Sequence, residues 1–312
     1  MRSIPILYDD DIASLISHRE AADAIRDALL GGLDPARDHV RSVLDVRSGQ
    51  LLLMPSESPG AVGIKAVTVA PANPACGLPR VHGAYLVFDA DTLEMTGIMD
   101  GAALSAIRTP AVAMAGCGPA FARFDRPVRV TVFGAGPQGV GHVEALATGG
   151  FGQVGDVVHV VRQPERARSA LGPDATVLEA SDPAVAARLR VSDVVICTTT
   201  ATTPLFDSAA LPDTAIVMVI GGHMATMREV DGAMFARSTV VVEDRATALA
   251  EAGDVVIAMS EGMLTADMIL PMADVIRGTV SVDHGRPYVF KSVGMSWEDL
   301  AVAQAIMRRV KR

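Results

Sequence analysis

Between residues 128 and 243, short apolar runs alternate with segments whose apolar positions recur at helical spacing. Short, continuous apolar runs are typical of parallel strands that are covered on both faces. The five runs are Val128 to Phe133, Val157 to Val161, Val194 to Thr198, Ile216 to Ile220 and Val240 to Glu243. This alternation predicts an α/β fold with a doubly wound parallel sheet in this part of the chain.

The first 116 residues follow a different order, in which strands succeed one another and helices lie at either end. Helical spacing from Ile12 to Leu30, stopped by Gly31-Gly32, predicts one helix, and Asp9-Asp10-Asp11 predicts a turn that caps its start. Five strands are expected at Val40 to Val46, Gln50 to Met54, Val62 to Val69, Gly83 to Asp89 and Met95 to Met99. With a helix from Gly101 through about Gly116, this section is predicted to be α+β.

From about Tyr288 the chain has a short β-like run, followed by helical spacing from Trp297 to Arg309. This last helix could return to the first section, which the pattern alone does not decide.

Thr109 to Ala122 lacks charge, but it is shorter than the roughly 18 apolar residues that a membrane span needs. We therefore expect a buried helix there and no membrane partner.

The first strand of the alternating half runs directly into Gly134-x-Gly136-x-x-Gly139 and then into a helical pattern. The first glycine permits a tight turn, the second lets the backbone approach a pyrophosphate, and the third lets helix and strand pack closely. Together with a second strand, these features predict a dinucleotide-binding βαβ unit. The alternative is a glycine-rich turn without a ligand.

Composition and charge narrow the class of protein. The chain has 312 residues, half of them apolar, and a formal charge of −9, which suggests two domains and argues against a nucleic-acid partner. Cys76, Cys117 and Cys197 fit neither a disulfide framework nor a metal site. We expect no bound metal, reduced thiols and a cytoplasmic location. The opening residues contain too short an apolar segment for a secretion signal and favour a first strand.

Several segments, taken together, resemble the ornithine cyclodeaminase/mu-crystallin family. They are Leu52-Leu-Met-Pro, Gly63-Ile-Lys-Ala-Val, Asn73-Pro with Gly77-Leu-Pro, Asp100-Gly, Arg108-Thr-Pro-Ala, Gly134-Ala-Gly-Pro-Gln, Arg228-Glu-Val-Asp, Glu251-Ala-Gly-Asp, Phe290-Lys-Ser-Val-Gly and Glu298-Asp. Their order and approximate spacing hold from about residue 40 to the C-terminus. The resemblance therefore covers most of the chain.

The resemblance implies a Rossmann-type NAD(P)-binding domain, residues 117–289, inserted in a substrate-binding and dimerisation domain made of residues 1–116 and 290–312. It also implies a homodimer with its active site in the interdomain cleft. The shared chemistry is hydride transfer at a carbon that carries nitrogen and lies next to a carboxylate. We therefore expect a small imino or amino acid as substrate.

Arg41, Lys65 and Arg108 lie in matching motifs, and the resemblance implies that they bind the substrate carboxylate, with Lys65 also acting in catalysis. From the residues alone, Lys65 would be a costly unpaired cation in an apolar strand. Arg108 would lie near a helix start, where a cation opposes the helix dipole. Arg41 could instead be solvated, like its neighbours Arg37 and Arg47.

Cofactor contacts are implied for the glycine loop and for several neighbouring segments. They are Thr109, Gly134, Gly136, Pro137, Gln138, Gly139, Thr198, Gly221, Ser292, Val293 and Gly294. At the end of the second strand, Arg162 stands where an NAD-binding chain has a carboxylate, and it could bind a 2′-phosphate together with Arg166. We expect a preference for NADP(H), with NAD(H) as the alternative if Arg162 is merely solvated.

Leu52 and His223 stand where the resemblance implies a glutamate and an aspartate in cyclodeaminases. A leucine can neither bind nor deprotonate a distal amine, so ring closure with loss of ammonia is disfavoured. His223 and His82 are candidate proton donors to an imine nitrogen, because imidazole titrates near neutrality. Either could equally be a hydrogen-bonded structural histidine.

These observations predict an NADPH-dependent reductase of a small α-imino or cyclic ketimine carboxylate, such as pyrroline-2-carboxylate, or the reverse amino-acid dehydrogenase. The alternative enzyme is an ornithine-type cyclodeaminase that recycles its NAD. A crystallin-like protein that binds NADPH without turnover is the third hypothesis.

Overall fold

The computed structural model describes residues 4–222 and 224–310 of the chain. The chain divides into two compact units, one containing residues up to Val112 and from Met295 onward, the other Ala113–Gly294. The sequence-based boundaries, after residues 116 and 289, differ from these by a few residues. The second of them falls inside a strand, as described below.

The first unit contains a six-stranded mixed sheet. Its strands are β1 (Ile6–Leu7), β2 (Ser42–Val46), β3 (Gly49–Ser58), β4 (Ala61–Val69), β5 (Val81–Asp89) and β6 (Met95–Asp100). Their order in the sheet is β1-β6-β5-β4-β3-β2, with β1 parallel to β6 and the other neighbours antiparallel. Short 3-10 helices span Pro35–Arg37 and Asn73–Cys76. Each strand predicted in this section is present.

The single helix predicted from Ile12 to Leu30 is wrong, because the chain forms α1 (Asp9–Leu15) and α2 (His18–Leu30) instead. Ser17 starts the second helix through a capping box: its Oγ accepts from the N–H of Glu20, whose carboxylate accepts from the Ser17 N–H at 2.9 Å. The Ser17-x-x-Glu20 signal was present in the sequence. The three aspartates form the first turn of α1 and not a preceding turn.

The helix α3 (Gly101–Phe121) starts directly after β6. Asp100 accepts hydrogen bonds from the N–H groups of Ala102 and Ala103 at 2.8 and 2.9 Å, which satisfies the first turn. The helix is longer than predicted and contains the division between the units, after Val112. Among residues 4–222 and 224–310, no helix has both the length and the apolar character needed to cross a membrane.

The second unit contains an eight-stranded parallel sheet. Its strands are β7 (Val128–Phe133), β8 (Val154–Val161), β9 (Thr176–Glu179), β10 (Val194–Cys197), β11 (Ile216–Val219), β12 (Thr239–Val242), β13 (Ile269–Pro271) and β14 (Tyr288–Lys291). Its helices are α4 (Pro137–Thr148), α5 (Pro164–Leu171), α6 (Ala184–Leu189), α7 (Gly232–Arg237), α8 (Arg245–Glu251), α9 (Gly253–Ser260) and α10 (Met272–Arg277), with short 3-10 helices at Ser208–Ala210 and Ala266–Met268.

The strand order is β13-β12-β14-β11-β10-β7-β8-β9. From β7 the chain goes to β8 on one side, and later to β10 on the other, so the order reverses at β7. Open sheets of this type bind ligands at the carboxyl ends of the strands beside such a reversal. This strand order therefore predicts a ligand site above the ends of β7 and β10.

The strand β14 is a full member of this sheet, since it pairs with β11 on one side and β12 on the other. A domain boundary between residues 289 and 290 would cut it. After β14 the chain leaves this unit, and α11 (Ser296–Val310) packs against α2, β3 and β4 of the first unit.

Candidate active site

The glycine loop after β7 has the geometry that its three glycines require. Gly134 has a φ of +120°, and a Cβ there would lie 2.8 Å from Oγ1 of Thr198. A Cβ at Gly139 would lie 3.1 Å from the Gly134 carbonyl oxygen, so helix and strand pack closely. Gly136, in contrast, has open space at its Cβ position among the described residues. The middle glycine is thus the position where a ligand can approach the backbone.

The N-terminus of α4 is available for an anion. No side chain of the described residues caps it, and Gly136 at the N-cap accepts only the helical bond from Val140. The N–H groups of a first helical turn have no partner within the helix and point outward. The Oε1 of Gln138 is also buried without a hydrogen-bond partner among the described residues. The uncapped first turn fits the pyrophosphate of a dinucleotide, whereas the Gln138 oxygen is an acceptor and would suit a hydroxyl donor of such a ligand.

Two buried histidines that the sequence did not single out bond near this site, one to the glycine loop and one within the first turns of α4. Nδ1 of His159, on β8, lies 2.8 Å from the Gly134 carbonyl oxygen, and Nδ1 of His142, on α4, lies 2.7 Å from that of Gln138. Burial lowers the pKa of His159, which favours the neutral ring. A neutral ring can still donate from Nδ1 to the carbonyl. A histidine in an otherwise apolar strand was the available signal.

Candidate cofactor residues also follow the neighbouring strands. Thr198, after β10, donates from Oγ1 to the Phe133 carbonyl oxygen at 3.1 Å. Gly221 follows β11, and a Cβ there would lie only 1.9 Å from the Thr199 carbonyl oxygen. Arg162 follows β8 and is exposed, as is Arg166 on α5. Because parallel strands end at one edge of a sheet, these residues share the edge that bears the glycine loop.

The segment of Ser292, Val293 and Gly294 follows β14 at the same edge. The buried Glu243 carboxylate accepts from the Ser292 hydroxyl at 2.5 Å and from the N–H groups of Val293 and Gly294 at 2.9 and 3.0 Å. Glu243 thus fixes the backbone of this segment, a role that the sequence analysis did not assign. The prediction that the segment contacts the cofactor stays a prediction. His223 lies outside the described residues.

In the first unit, Lys65 lies on β4 with its side chain only 2% exposed. Its Nζ donates to Oδ2 of Asp299 at 2.7 Å and to Oγ of Ser105 at 3.2 Å. Among the described residues these two contacts occupy two of the three N–H donors of the ammonium group. One donor of Lys65 therefore remains for a ligand.

Arg108 approaches the same carboxylate from α3. Its Nε donates to Oδ1 of Asp299 at 3.1 Å, and one terminal nitrogen donates to Glu298 at 2.7 Å. Arg108 lies in the interior of α3, not near its start as expected, and Thr109 beside it is also buried. The two cations thus converge on Asp299, and the two carboxylates come from adjacent residues of α11.

The environment of Lys65 changes its acidity. Burial lowers the pKa of Lys65 from its usual value of 10.5 to about 8, and the charge of Arg108 acts in the same direction. Asp299 and Glu298 oppose this shift because they favour the charged ammonium. Lys65 is therefore a cation at neutral pH that can release a proton close to that pH.

Arg41 and His82 occupy different positions relative to Lys65. Arg41 directly precedes β2, whose register begins with Ser42 opposite Leu53 of β3, and Leu53 is next to Met54, the partner of Lys65. Arg41 is therefore about two strand spacings, roughly 10 Å, from Lys65. His82 pairs with Thr68, three residues beyond Lys65, so the alternation of side chains puts it on the other face of the sheet, where it is exposed. The structure does not bring His82 and Lys65 together.

Leu52 lies on the same face as Lys65. It is 7% exposed and packs in a small apolar cluster with Met54 and Val67. The cluster contains no carboxylate, so it provides an apolar wall and not a binding site for an ammonium group. Glu298 and Asp299 are the acidic residues that sequence reasoning missed as members of this site, although the Glu298-Asp pair had been noted as a motif.

Comparisons with known proteins agree with the sequence motifs. The family model for the ornithine cyclodeaminase/mu-crystallin family matches residues 6–312. A Delta(1)-pyrroline-2-carboxylate/Delta(1)-piperideine-2-carboxylate reductase of Azospirillum brasilense is 31% identical over 96% of this chain and 94% of that protein. Delta(1)-pyrroline-2-carboxylate reductase 2 of Burkholderia ambifaria is 32% identical over 85% of this chain and 82% of that protein.

Among solved structures, Thermococcus litoralis Delta(1)-pyrroline-2-carboxylate reductase in complex with NADH and L-proline has a TM-score of 0.86. It is 24% identical and covers 99% of this chain and 98% of that one. This likeness confirms the predicted α/β fold with a Rossmann-type parallel sheet. The chain belongs to the ornithine cyclodeaminase/mu-crystallin family.

Proposed function

We propose that this protein reduces Delta(1)-pyrroline-2-carboxylate, or a cyclic ketimine carboxylate of similar size, to the corresponding amino acid with a nicotinamide cofactor. The observation that carries the proposal is the convergence of Lys65 and Arg108 on the single carboxylate of Asp299. Cationic donors arranged in this way are suited to a second carboxylate, that of the substrate. The reductases of A. brasilense and B. ambifaria support this substrate class.

Reduction of a C=N bond adds a hydride to carbon and a proton to nitrogen. A nicotinamide cofactor held by the glycine loop and the start of α4 would supply the hydride. We assign the proton to Lys65, because its pKa of about 8 keeps it charged at neutral pH and one of its donors has no partner among the described residues. Proton donation of this kind contributes about 100- to 10,000-fold to a rate. His223 is the second candidate donor.

The apolar cluster around Leu52 favours a reductase over a cyclodeaminase. The ring carbons of a cyclic imino acid can pack against Leu52, Met54 and Val67. A cyclodeaminase must bind a distal ammonium, and these side chains offer no acceptor for it. The buried leucine therefore supports the cyclic substrate.

The glycine loop and the uncapped start of α4 would hold the pyrophosphate of the cofactor, and Arg162 would lie beside its adenosine ribose. An exposed guanidinium at the end of β8 suits a 2′-phosphate, which it can bind with two hydrogen bonds. This is the support for our proposal that NADP(H) is preferred.

We further propose that the protein is a homodimer. β2 is the edge strand of the six-stranded sheet, and all five of its residues are exposed, including Val43, Leu44 and Val46 at 48–50% exposure. An exposed apolar edge strand is a surface for pairing with another chain. A mass in solution of twice 32.5 kDa would support this proposal, and Leu44→Glu is expected to shift the protein to monomers.

The three free thiols are consistent with a cytoplasmic location.

The direct test is an assay of NADPH oxidation with Delta(1)-pyrroline-2-carboxylate and its six-membered homologue. We expect one NADPH consumed for each amino acid formed. Release of ammonia from ornithine without net consumption of the cofactor would instead identify a cyclodeaminase. Tight NADPH binding without turnover of any cyclic ketimine or keto acid with amine would identify a binding protein.

A further inference from the structure

The second unit contains a buried cluster of three ionisable side chains that the proposed reaction does not yet use. Lys291 ends β14, Glu229 lies in the loop between β11 and α7, and Asp254 lies in the first turn of α9. None of the three is more than 1% exposed. Their chain positions are far apart, and the sheet brings them together.

The cluster binds the backbone of the loops that follow β10 and β11. Nζ of Lys291 donates to the Gly222 carbonyl oxygen at 2.6 Å and lies 3.2 Å from Oδ2 of Asp254. The Glu229 carboxylate accepts from the N–H of Thr199 at 2.6 Å and from that of Gly221 at 2.7 Å. One side-chain cluster thus joins both loops to the end of β14.

Asp254 completes the arrangement, because its Oδ1 accepts from the N–H groups of Glu229 and Val230 at 2.6 and 3.0 Å. The Thr199 hydroxyl adds a further bond to Glu229 at 2.8 Å. At Gly221 the two loops are so close that no side chain fits. The cluster therefore contacts the backbone of both loops at several points.

Burying these charges is unfavourable for stability alone. Burial raises the pKa of Glu229, and the charge of Lys291 opposes that shift. Well-packed apolar residues in place of a buried ion cluster are often as stable or more stable, and the adjoining strands are built from Val and Ile. A role in fixing local structure accounts for the cluster better than stability does.

The position of the cluster indicates which part of a ligand it serves. A dinucleotide lies across the reversal of strand order, with its adenosine half above β7 and β8 and its other half above β10 and β11. Thr199, Gly221 and Gly222 follow β10 and β11. The loops held by the cluster are therefore those next to the nicotinamide half.

We propose that Lys291, Glu229 and Asp254 are positioning residues that hold the loops after β10 and β11 in the conformation that seats the nicotinamide half of the cofactor. This inference rests on the proposed use of a nicotinamide dinucleotide. It does not depend on which imine is reduced.

The test compares binding of NADPH with binding of 2′-phospho-ADP-ribose, which lacks the nicotinamide ring, in the full-length protein. Lys291→Met is expected to weaken NADPH binding by about 10-fold or more and 2′-phospho-ADP-ribose binding by less than about 3-fold. The matched control is Asp193→Asn, which breaks another buried carboxylate cluster, with Arg126 and Arg129, before β10 at the opposite edge of the sheet. The control should leave binding of both ligands unchanged.

Thr199→Val provides a milder variant should Lys291→Met not fold. It removes the hydroxyl bond to Glu229 and the acceptor of the Ala201 N–H, and it retains the bonds of Glu229 with the N–H groups of Thr199 and Gly221. We therefore expect a loss of about 3-fold in NADPH binding alone. Equal loss of both ligands, or no loss of NADPH binding, in the folded variant would overturn the proposal. Failure of the unaltered protein to bind NADPH at all would overturn the cofactor assignment instead. If the variants lose NADPH binding selectively as expected, but the unaltered protein reduces no imine, this inference stands and the proposed reaction is rejected.

Discussion

The two units hold their candidate functional groups in different ways. In the parallel sheet, the groups lie at strand ends, and the proposed recognition uses backbone, at the open Gly136 and the uncapped start of α4. In the mixed sheet, Lys65 lies in the middle of a strand and meets Arg108, from α3, at the carboxylate of Asp299. Backbone recognition depends on a local motif, whereas the ion cluster depends on residues far apart in the chain.

The largest expected effect tests the ion cluster. Lys65→Met removes the proposed proton donor, so kcat/KM for the imine should fall about 1000-fold, while NADPH binding is retained. The matched control is His82→Ala on the opposite face of the sheet, which should change kcat/KM by less than about 3-fold. Steady-state kinetics and NADPH titration measure both. A larger effect at His82 than at Lys65 would place the reaction on the other face.

The next effect tests recognition by backbone. Gly136 has extended backbone angles and open space at its Cβ position, so Gly136→Val should preserve the folded structure and weaken NADPH binding about 100-fold by blocking the approach of the pyrophosphate. Gly139→Val should lower thermal stability instead, because its side chain meets the Gly134 carbonyl and Thr198. Unchanged NADPH affinity in the Gly136 variant would contradict the assigned site.

A smaller effect is expected at the adenosine end. Arg162→Ala should reduce the preference for NADPH over NADH about 10-fold, since one charge-assisted contact with the 2′-phosphate is lost. Arg168→Ala is the matched control, because Arg168 already pairs with Glu165 in the same helix. Comparison of KM values for the two cofactors measures the preference. An unaltered enzyme that prefers NADH would contradict the NADP assignment.

The smallest effect is a shift in pH dependence. The unaltered enzyme should lose activity as the pH rises through about 8, because Lys65 then loses its proton. Asp299→Asn removes an anion that favours the charged ammonium of Lys65. The alkaline limb of the pH–activity profile should therefore move to lower pH by about one unit. Glu20→Gln, at a surface ion pair with Arg309, should not move it. A limb that stays in place in Asp299→Asn would exclude Lys65 as the titrating group.

Elements with a local signal were predictable. The strand and glycines from Val128 to Gly139 were assigned correctly because strand, turn and helix N-terminus are specified within a few residues. The split between α1 and α2 was missed although Ser17 and Glu20 carry a capping signal, because the apolar periodicity on both sides looked continuous. Family membership was also predictable, from motifs spread over most of the chain.

What the sequence determined by itself was the class of fold, the family, the dinucleotide loop and the cations expected to bind a carboxylate. These depend on short-range patterns and on residue chemistry. Only the tertiary structure decided that Lys65 and Arg108 meet at Asp299, that His82 lies on the opposite face, and that Lys291 lies beside Asp254, which accepts from the Glu229 N–H. Such contacts depend on strand register and on helices that return from distant parts of the chain, and no local pattern specifies them.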